Sequence, residues 1–237
     1  MTTFPSITVS DVWVQYRLRN ARHYNLKRTL ANAASRRREP PEVLTALAGV
    51  SFQVTMGDRV ALTGPNGSGK STLLAVLAGT LQPSSGTAST LGRVVALLGG
   101  PGEGLDPEQT GRENAISLGV RHGESPKVME GIVDEIADFS GLGNRFDHPV
   151  YTYSSGMQAR LRFSAITCLT PGTLIVDEGI GVADEEFNER AAARLEEFFN
   201  RAGTLVLASH NTAMLQRYCR TRLALRDGVI ESYGKLN

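Results

Sequence analysis

The sequence predicts an α/β fold with a mostly parallel core sheet, an antiparallel β part and a small helical subdomain. Three observations predict it. Short apolar, β-branched runs alternate with helical segments, the pattern of parallel strands joined by crossover helices. A glycine-rich turn, Gly64 to Ser71, stands between one such run and a helix. A region from about 105 to 170 with little strand character separates two strand-bearing parts, 7–100 and 171–237. At 237 residues the chain suits one large domain, with enough core to fold without disulfide or metal staples.

Each element follows in order. ITVSDVWVQY, from Ile7, alternates and is β-branched and aromatic, which makes it a strand. A basic segment, 17–41, interrupts the pattern and ends in Pro40-Pro41. VSFQV from Val50 and RVALT from Arg59 read as short strands joined by a turn at Met56-Gly57-Asp58. GPNGSGKST leads into the apolar helix STLLAVLAGTL, stopped by Pro83 and Gly86. RVVALL from Arg93 is a buried strand, and the loop GGPGEGLDP follows. Beyond a mainly helical 110–150, SSGMQARLRFSAITCL is a helix, TLIVD a strand, EEFNERAAARLEEFFNRA a helix and TLVLAS a strand. RLALRDGVIESY closes as a hairpin on Asp227-Gly228.

Composition narrows the function classes. With 41% hydrophobic and 21% charged residues, the chain is globular, not disordered or fibrous. A net charge of +1 argues against nucleic acid as a partner. The cations are uneven, however: Arg17, Arg19, Arg22, Lys27, Arg28, Arg36, Arg37 and Arg38 all precede Glu39, the first acid after Asp11. Arginine outnumbers lysine throughout, which reads as coding bias of a GC-rich bacterial genome. Cys168 and Cys219 fit no metal or disulfide spacing, and Cys168 reads as a reduced core thiol. No apolar stretch approaches the roughly 20 residues of a membrane span, and the start lacks a signal peptide's pattern. A cytosolic chain is expected, any membrane role coming through a partner.

Gly64-Pro65-Asn66-Gly67-Ser68-Gly69-Lys70-Ser71 satisfies G-x-x-x-x-G-K-[ST] between a strand and a helix. Its glycines let backbone N–H groups turn toward phosphates, and the helix N-terminus adds its positive dipole end. Lys70 should reach the β- and γ-phosphates, Ser71 should offer its hydroxyl to Mg²⁺, and Thr72 should support the α-phosphate. Asp177 and Glu178 end an apolar strand, where α/β sheets place ligand chemistry. Asp177 would hold Mg²⁺, and Glu178 would polarise the water that attacks the γ-phosphate. His210 follows another apolar strand and would contact that phosphate. Ser154-Ser155-Gly156-Met157 starts a helix, a second anion-binding arrangement in a chain that already has one. It could close on a nucleotide held by a second copy.

With these motifs in view, the sequence resembles the nucleotide-binding ATPase subunits of ABC transporters. GPNGSGKST resembles Walker A, LIVDE resembles Walker B with its glutamate, and SSGMQ resembles the LSGGQ signature. Val182-Ala183-Asp184 resembles the D-loop, and His210 matches the switch histidine. The resemblance implies a P-loop NTPase fold of ABC ATPase type, ATP and Mg²⁺ as cofactors, and two copies closing head to tail around two ATPs. Lys70, Ser71, Asp177, Glu178 and His210 of one copy would then face Ser154, Ser155, Gly156 and Met157 of the other, and Asp184 would join the nucleotide-binding set. An aromatic that stacks on adenine usually ends the first strand; Tyr16 stands there, with His23 and Tyr24 as alternatives.

PVYTYSSGMQARLRFS and DPEQTGREN narrow the resemblance to ATPases that export bacterial O-antigen, capsule, teichoic acid or cell-wall galactan. Such ATPases work with two copies of a transmembrane permease at the cytoplasmic face of the inner membrane, and the permease handles the lipid-linked glycan. An importer, a drug or lipid exporter, and a soluble ATPase of DNA repair or translation are the alternative readings. The glutamine that the wider family carries after the strand equivalent to RVVALL is missing, and Glu103 is the polar residue nearby. The basic insert is either a solvated loop or a contact with anionic lipid, permease or substrate pyrophosphate. No carbohydrate-binding domain follows the last hairpin, so sorting of glycans by their ends is not expected of this chain.

Overall fold

The computed structural model describes residues 4–18, 42–99, 103–177 and 185–236. Strand β1 (Pro5–Leu18) lies between β2 (Glu42–Thr55) and β4 (Ser85–Thr90), antiparallel to both. The remaining strands, β3 (Arg59–Thr63), β5 (Val94–Leu97), β6 (Thr173–Val176), β7 (Thr204–Ala208), β8 (Thr221–Arg226) and β9 (Val229–Lys235), form a second sheet in the order β5-β6-β7-β3-β8-β9. It is parallel except for β9, which returns antiparallel beside β8.

The central strands are apolar along their whole length because both their faces are covered. Leu62, Ile175, Val206 and Ala208 point to one side, where helix α1 (Lys70–Leu77) lies between the two sheets with Leu73, Leu74 and Leu77 buried. Ala61, Leu174, Val176, Leu205 and Leu207 point to the other. There they meet α2 (Gly111–Arg121), α3 (Pro126–Ser140), α4 (Ser155–Thr167), α5 (Glu185–Arg201) and α6 (Thr212–Tyr218). Eight residues are too few for a stable free helix, so α1 depends on that burial, at about 2 kcal/mol for each enclosed leucine.

Four elements depart from the sequence reading. β2 begins at Glu42, eight residues before the expected strand, because it follows the long β1 through bulges that a period-2 pattern hides. β4, the exposed SGTAST, carries no apolar alternation and was not expected as a strand. α1 stops at Leu77, where Gly79 donates back to the Val76 carbonyl at 3.0 Å, well before Pro83. The short α6 was not expected either; Asn211 caps it by accepting from the Met214 N–H at 3.1 Å. Arg17 and Leu18 belong to β1, and the rest of the basic insert lies outside the described residues. Cys168 is a free thiol packed half-buried against the core at the end of α4, its sulfur accepting from Arg194 at 2.8 Å, and Cys219 is the more enclosed of the two. Among the described residues no helix is long and apolar enough to cross a membrane.

Candidate functional site

The strand order makes the site. β6, β7 and β3 are neighbours, so the turns at their carboxyl ends emerge side by side. Asp177 follows β6, His210 follows β7 and the glycine-rich loop follows β3. Asp177 is fixed by its own N–H, which donates to the Leu97 carbonyl at 3.0 Å. His210 sits in a turn where Ser209 Oγ accepts from the Asn211 N–H at 3.0 Å.

The loop is shaped by backbone crowding. Gly64 and Gly69 have φ of 145° and 100°, where a side chain is strained. Space forbids one as well: a Cβ on Gly64 would run into the Leu225 carbonyl oxygen, and one on Gly69 would lie 2.6 Å from that of Ala46. The β8–β9 turn braces the loop from outside, the Gly228 N–H donating to the Ser68 carbonyl at 3.1 Å. Lys70 opens α1, and its ammonium donates to the Gly64 and Pro65 carbonyls at 2.8 and 3.0 Å, spanning the loop.

A cleft of about 410 Å³ results, lined by Ala46, Asn66, Gly67, Gly69, Lys70, Ser71, Thr72, Asp177 and His210. Eight of these nine residues are ones the sequence marked. Gly64, Pro65 and Ser68 do not line it: Ser68 is 2% exposed, and its N–H donates to the Pro65 carbonyl at 3.2 Å. Its hydroxyl is buried without a hydrogen-bond partner among the described residues. Tyr16 does not line the cleft. It is 41% exposed and pairs with Leu44, and the residue that β2 contributes is Ala46, which nothing in the sequence marks. Glu178, Asp184, His23 and Tyr24 lie outside the described residues.

The serine-glycine turn sits elsewhere. Ser154 caps α4, its hydroxyl accepting from the Met157 N–H at 3.3 Å, and Ser155 is exposed at the first helical position. A second cavity of about 280 Å³ is lined by Ser154, Gly156, Met157, Gly141, Leu142, Arg145 and Arg160. Among the described residues it shares none with the first. Tyr153 anchors the approach to this turn: its hydroxyl donates to the Arg145 carbonyl at 2.6 Å, and burial pushes it above the usual phenol range.

Sequence reasoning missed Asn114. This buried side chain accepts from the Asp106 N–H at 2.7 Å and donates to the carbonyls of Asp106, Gln109 and Thr110. Thr110 and Glu113 form a capping box at the start of α2. DPEQTGREN is therefore a scaffold segment for the helical layer.

The family model described as ABC transporter matches residues 47–181, from β2 through the loop, the helical layer and Asp177. This chain belongs to the ABC transporter family. It is 36% identical to an O-antigen export system ATP-binding protein of Myxococcus xanthus, over 97% of this chain and 53% of that one. A protein of the same description from Yersinia enterocolitica is 35% identical over 95% of this chain and 96% of its own length. A teichoic acids export ATP-binding protein of Bacillus anthracis is 35% identical over 81% of this chain and 34% of its own. The chain thus spans only about half of the Myxococcus relative and nearly all of the Yersinia one. Among solved structures, a dimeric ATP-binding cassette in a post-hydrolysis state, bound to ADP and Pi, superposes with a TM-score of 0.70 at 20% identity, covering 98% of this chain and 99% of that one. That likeness establishes the ABC ATPase fold.

Proposed function

We propose that this ABC-family chain is the ATP-hydrolysing subunit of an exporter of lipid-linked polysaccharide. Two copies would act head to tail beneath a transmembrane permease, at the cytoplasmic face of the bacterial inner membrane. The observation that carries the dimer is the separation of the two cavities: the cleft holding Lys70, Ser71, Asp177 and His210 contains nothing from the Ser154–Met157 turn. An α4 N-terminus with free N–H donors suits a phosphate that another copy holds. The O-antigen and teichoic acid names of the relatives support the cargo class.

Within each cleft, loop N–H groups and Lys70 would hold the phosphate chain, and Thr72 would support its α end. The Ser71 hydroxyl and the Asp177 carboxylate share the cleft, an oxygen donor set that suits Mg²⁺. When bound, that ion would neutralise charge on the β- and γ-phosphates. His210 would orient the terminal phosphate, and Glu178 would accept a proton from the attacking water. Ser155 and Gly156 of the twin would complete the shell around the developing charge.

Replacing Glu178 with glutamine should abolish turnover, leave ATP binding intact and trap a dimer visible by sedimentation. Normal hydrolysis by that variant would remove Glu178 from its role. Depletion in the host should make a lipid-linked glycan accumulate inside the cell; its absence would overturn the cargo.

A further inference from the structure

A half-buried arginine on α4 stands between the two cavities within one chain. Arg162 leaves the helix on the side of the core sheet and donates to the Leu98 carbonyl, just past β5. The preceding carbonyl, Leu97, accepts from the N–H of Asp177. Glu103, on the far side of the same loop, folds back over Gly99 so closely that a Cβ there would overlap its carboxylate. Burial pushes Arg162 below the usual guanidinium range, and the Glu103 carboxylate opposes that shift. Arg121, at the end of α2, grips the same loop through the Gly104 carbonyl. Seven residues before Arg162, roughly 10 Å along the helix, stands Ser155 at the serine-glycine turn.

We infer that Arg162 is a positioning residue that ties the orientation of the Ser154–Gly156 turn to the state of the Asp177 cleft, through Leu98, Leu97 and the Glu103 carboxylate. A phosphate or cation that moves Asp177 moves the end of β5 with it, since the two share a backbone hydrogen bond. Leu98 is the next residue, and its carbonyl is held by a rigid planar fork on α4. Because α4 is a 13-residue helix, a shift at Arg162 reaches its first turn as a rigid-body movement. Methionine at position 162 could fill the volume but could not grip a carbonyl. The purpose of the link rests on the twin-site reading above, because the turn it orients serves the other copy.

The test is amide hydrogen exchange on the full chain, dilute enough to be monomeric, with and without the ATP analogue AMP-PNP and Mg²⁺. In the wild type the analogue should change exchange at residues 155–160 at least about threefold, besides protecting 70–77. Arg162→Met should abolish the response at 155–160 and keep that at 70–77, which shows that the variant is folded and binds the analogue. Arg162→Lys, which keeps a donor, should retain part of it. Glu103→Gln, a change at an exposed residue, should weaken it even if Arg162→Met does not fold. A response of wild-type size in Arg162→Met or in Glu103→Gln, or none at 155–160 in the wild type, overturns the link. Sedimentation of the Glu178→Gln variant reports separately on the dimer, so failure of the twin-site reading is distinguished from failure of the link.

Discussion

The two cavities differ in how they are built. The Asp177 cleft is enclosed by backbone from four directions: β3, the β8–β9 turn, the end of β6 and β2 all close on the loop. The serine-glycine turn is a capped helix start on the surface, and a Cβ on Gly156 would meet nothing nearer than Ser154 Oγ at 3.8 Å. Crowded backbone makes a loop whose shape is set before any phosphate arrives. An open helix start makes a surface that can dock onto something else. The same residue type is therefore indispensable to the fold in one region and free to vary structurally in the other.

The sharpest way to break this contrast is alanine at the two kinds of glycine. Gly64→Ala should weaken ATP binding by at least about a hundredfold, read by nucleotide titration, because the loop must open to clear the Leu225 carbonyl. Gly156→Ala should leave both ATP affinity and melting temperature near wild type. Gly156→Asp puts a like charge where the twin's phosphate would approach, and turnover should fall about a hundredfold with ATP affinity unchanged. A parallel loss of affinity would merge the two cavities into one site.

Smaller effects sharpen the role of the helical layer. Asn114→Ala leaves the N–H of Asp106 without its acceptor and removes one of two donors from each of three carbonyls, and should cost about 2 kcal/mol in urea denaturation. Ser154→Ala removes only a cap, about 1 kcal/mol. Least affected at neutral pH is the core thiol. Burial pushes Cys219 up to about 12. The folded chain then holds this proton where the unfolded chain releases it, so the thiol contributes a loss of stability that begins near pH 9 and grows until about pH 12. Native protein at pH 8 should not react with a thiol reagent at Cys219, and unfolded protein should.

Most of this architecture was legible because chemistry and burial left local marks. The runs TLIV and TLVLA read as buried parallel strands since both faces are covered. The loop residues were legible because the spacing G-x-x-x-x-G-K-[ST] lies within eight consecutive residues between a strand and a helix. What could not be read was set by distant partners. Ala46 joins the cleft only because β2 runs eight residues further than its apolar pattern, paired to a bulged β1. Tyr16 ends its strand with an exposed ring, paired across the sheet with Leu44. Arg162 looks like one more surface arginine in a helix of near-uniform polarity; only the packing of α4 against the β5 loop reveals its target.

Each cleft would be completed by the serine-glycine turn of a second copy. Mixing two inactive variants, Lys70→Ala and Gly156→Asp, tests it most directly. The mixed dimer contains one cleft with both halves intact, so an equimolar mixture should recover up to about a quarter of wild-type ATPase activity. Activity that stays at the sum of the two separate variants would contradict the account.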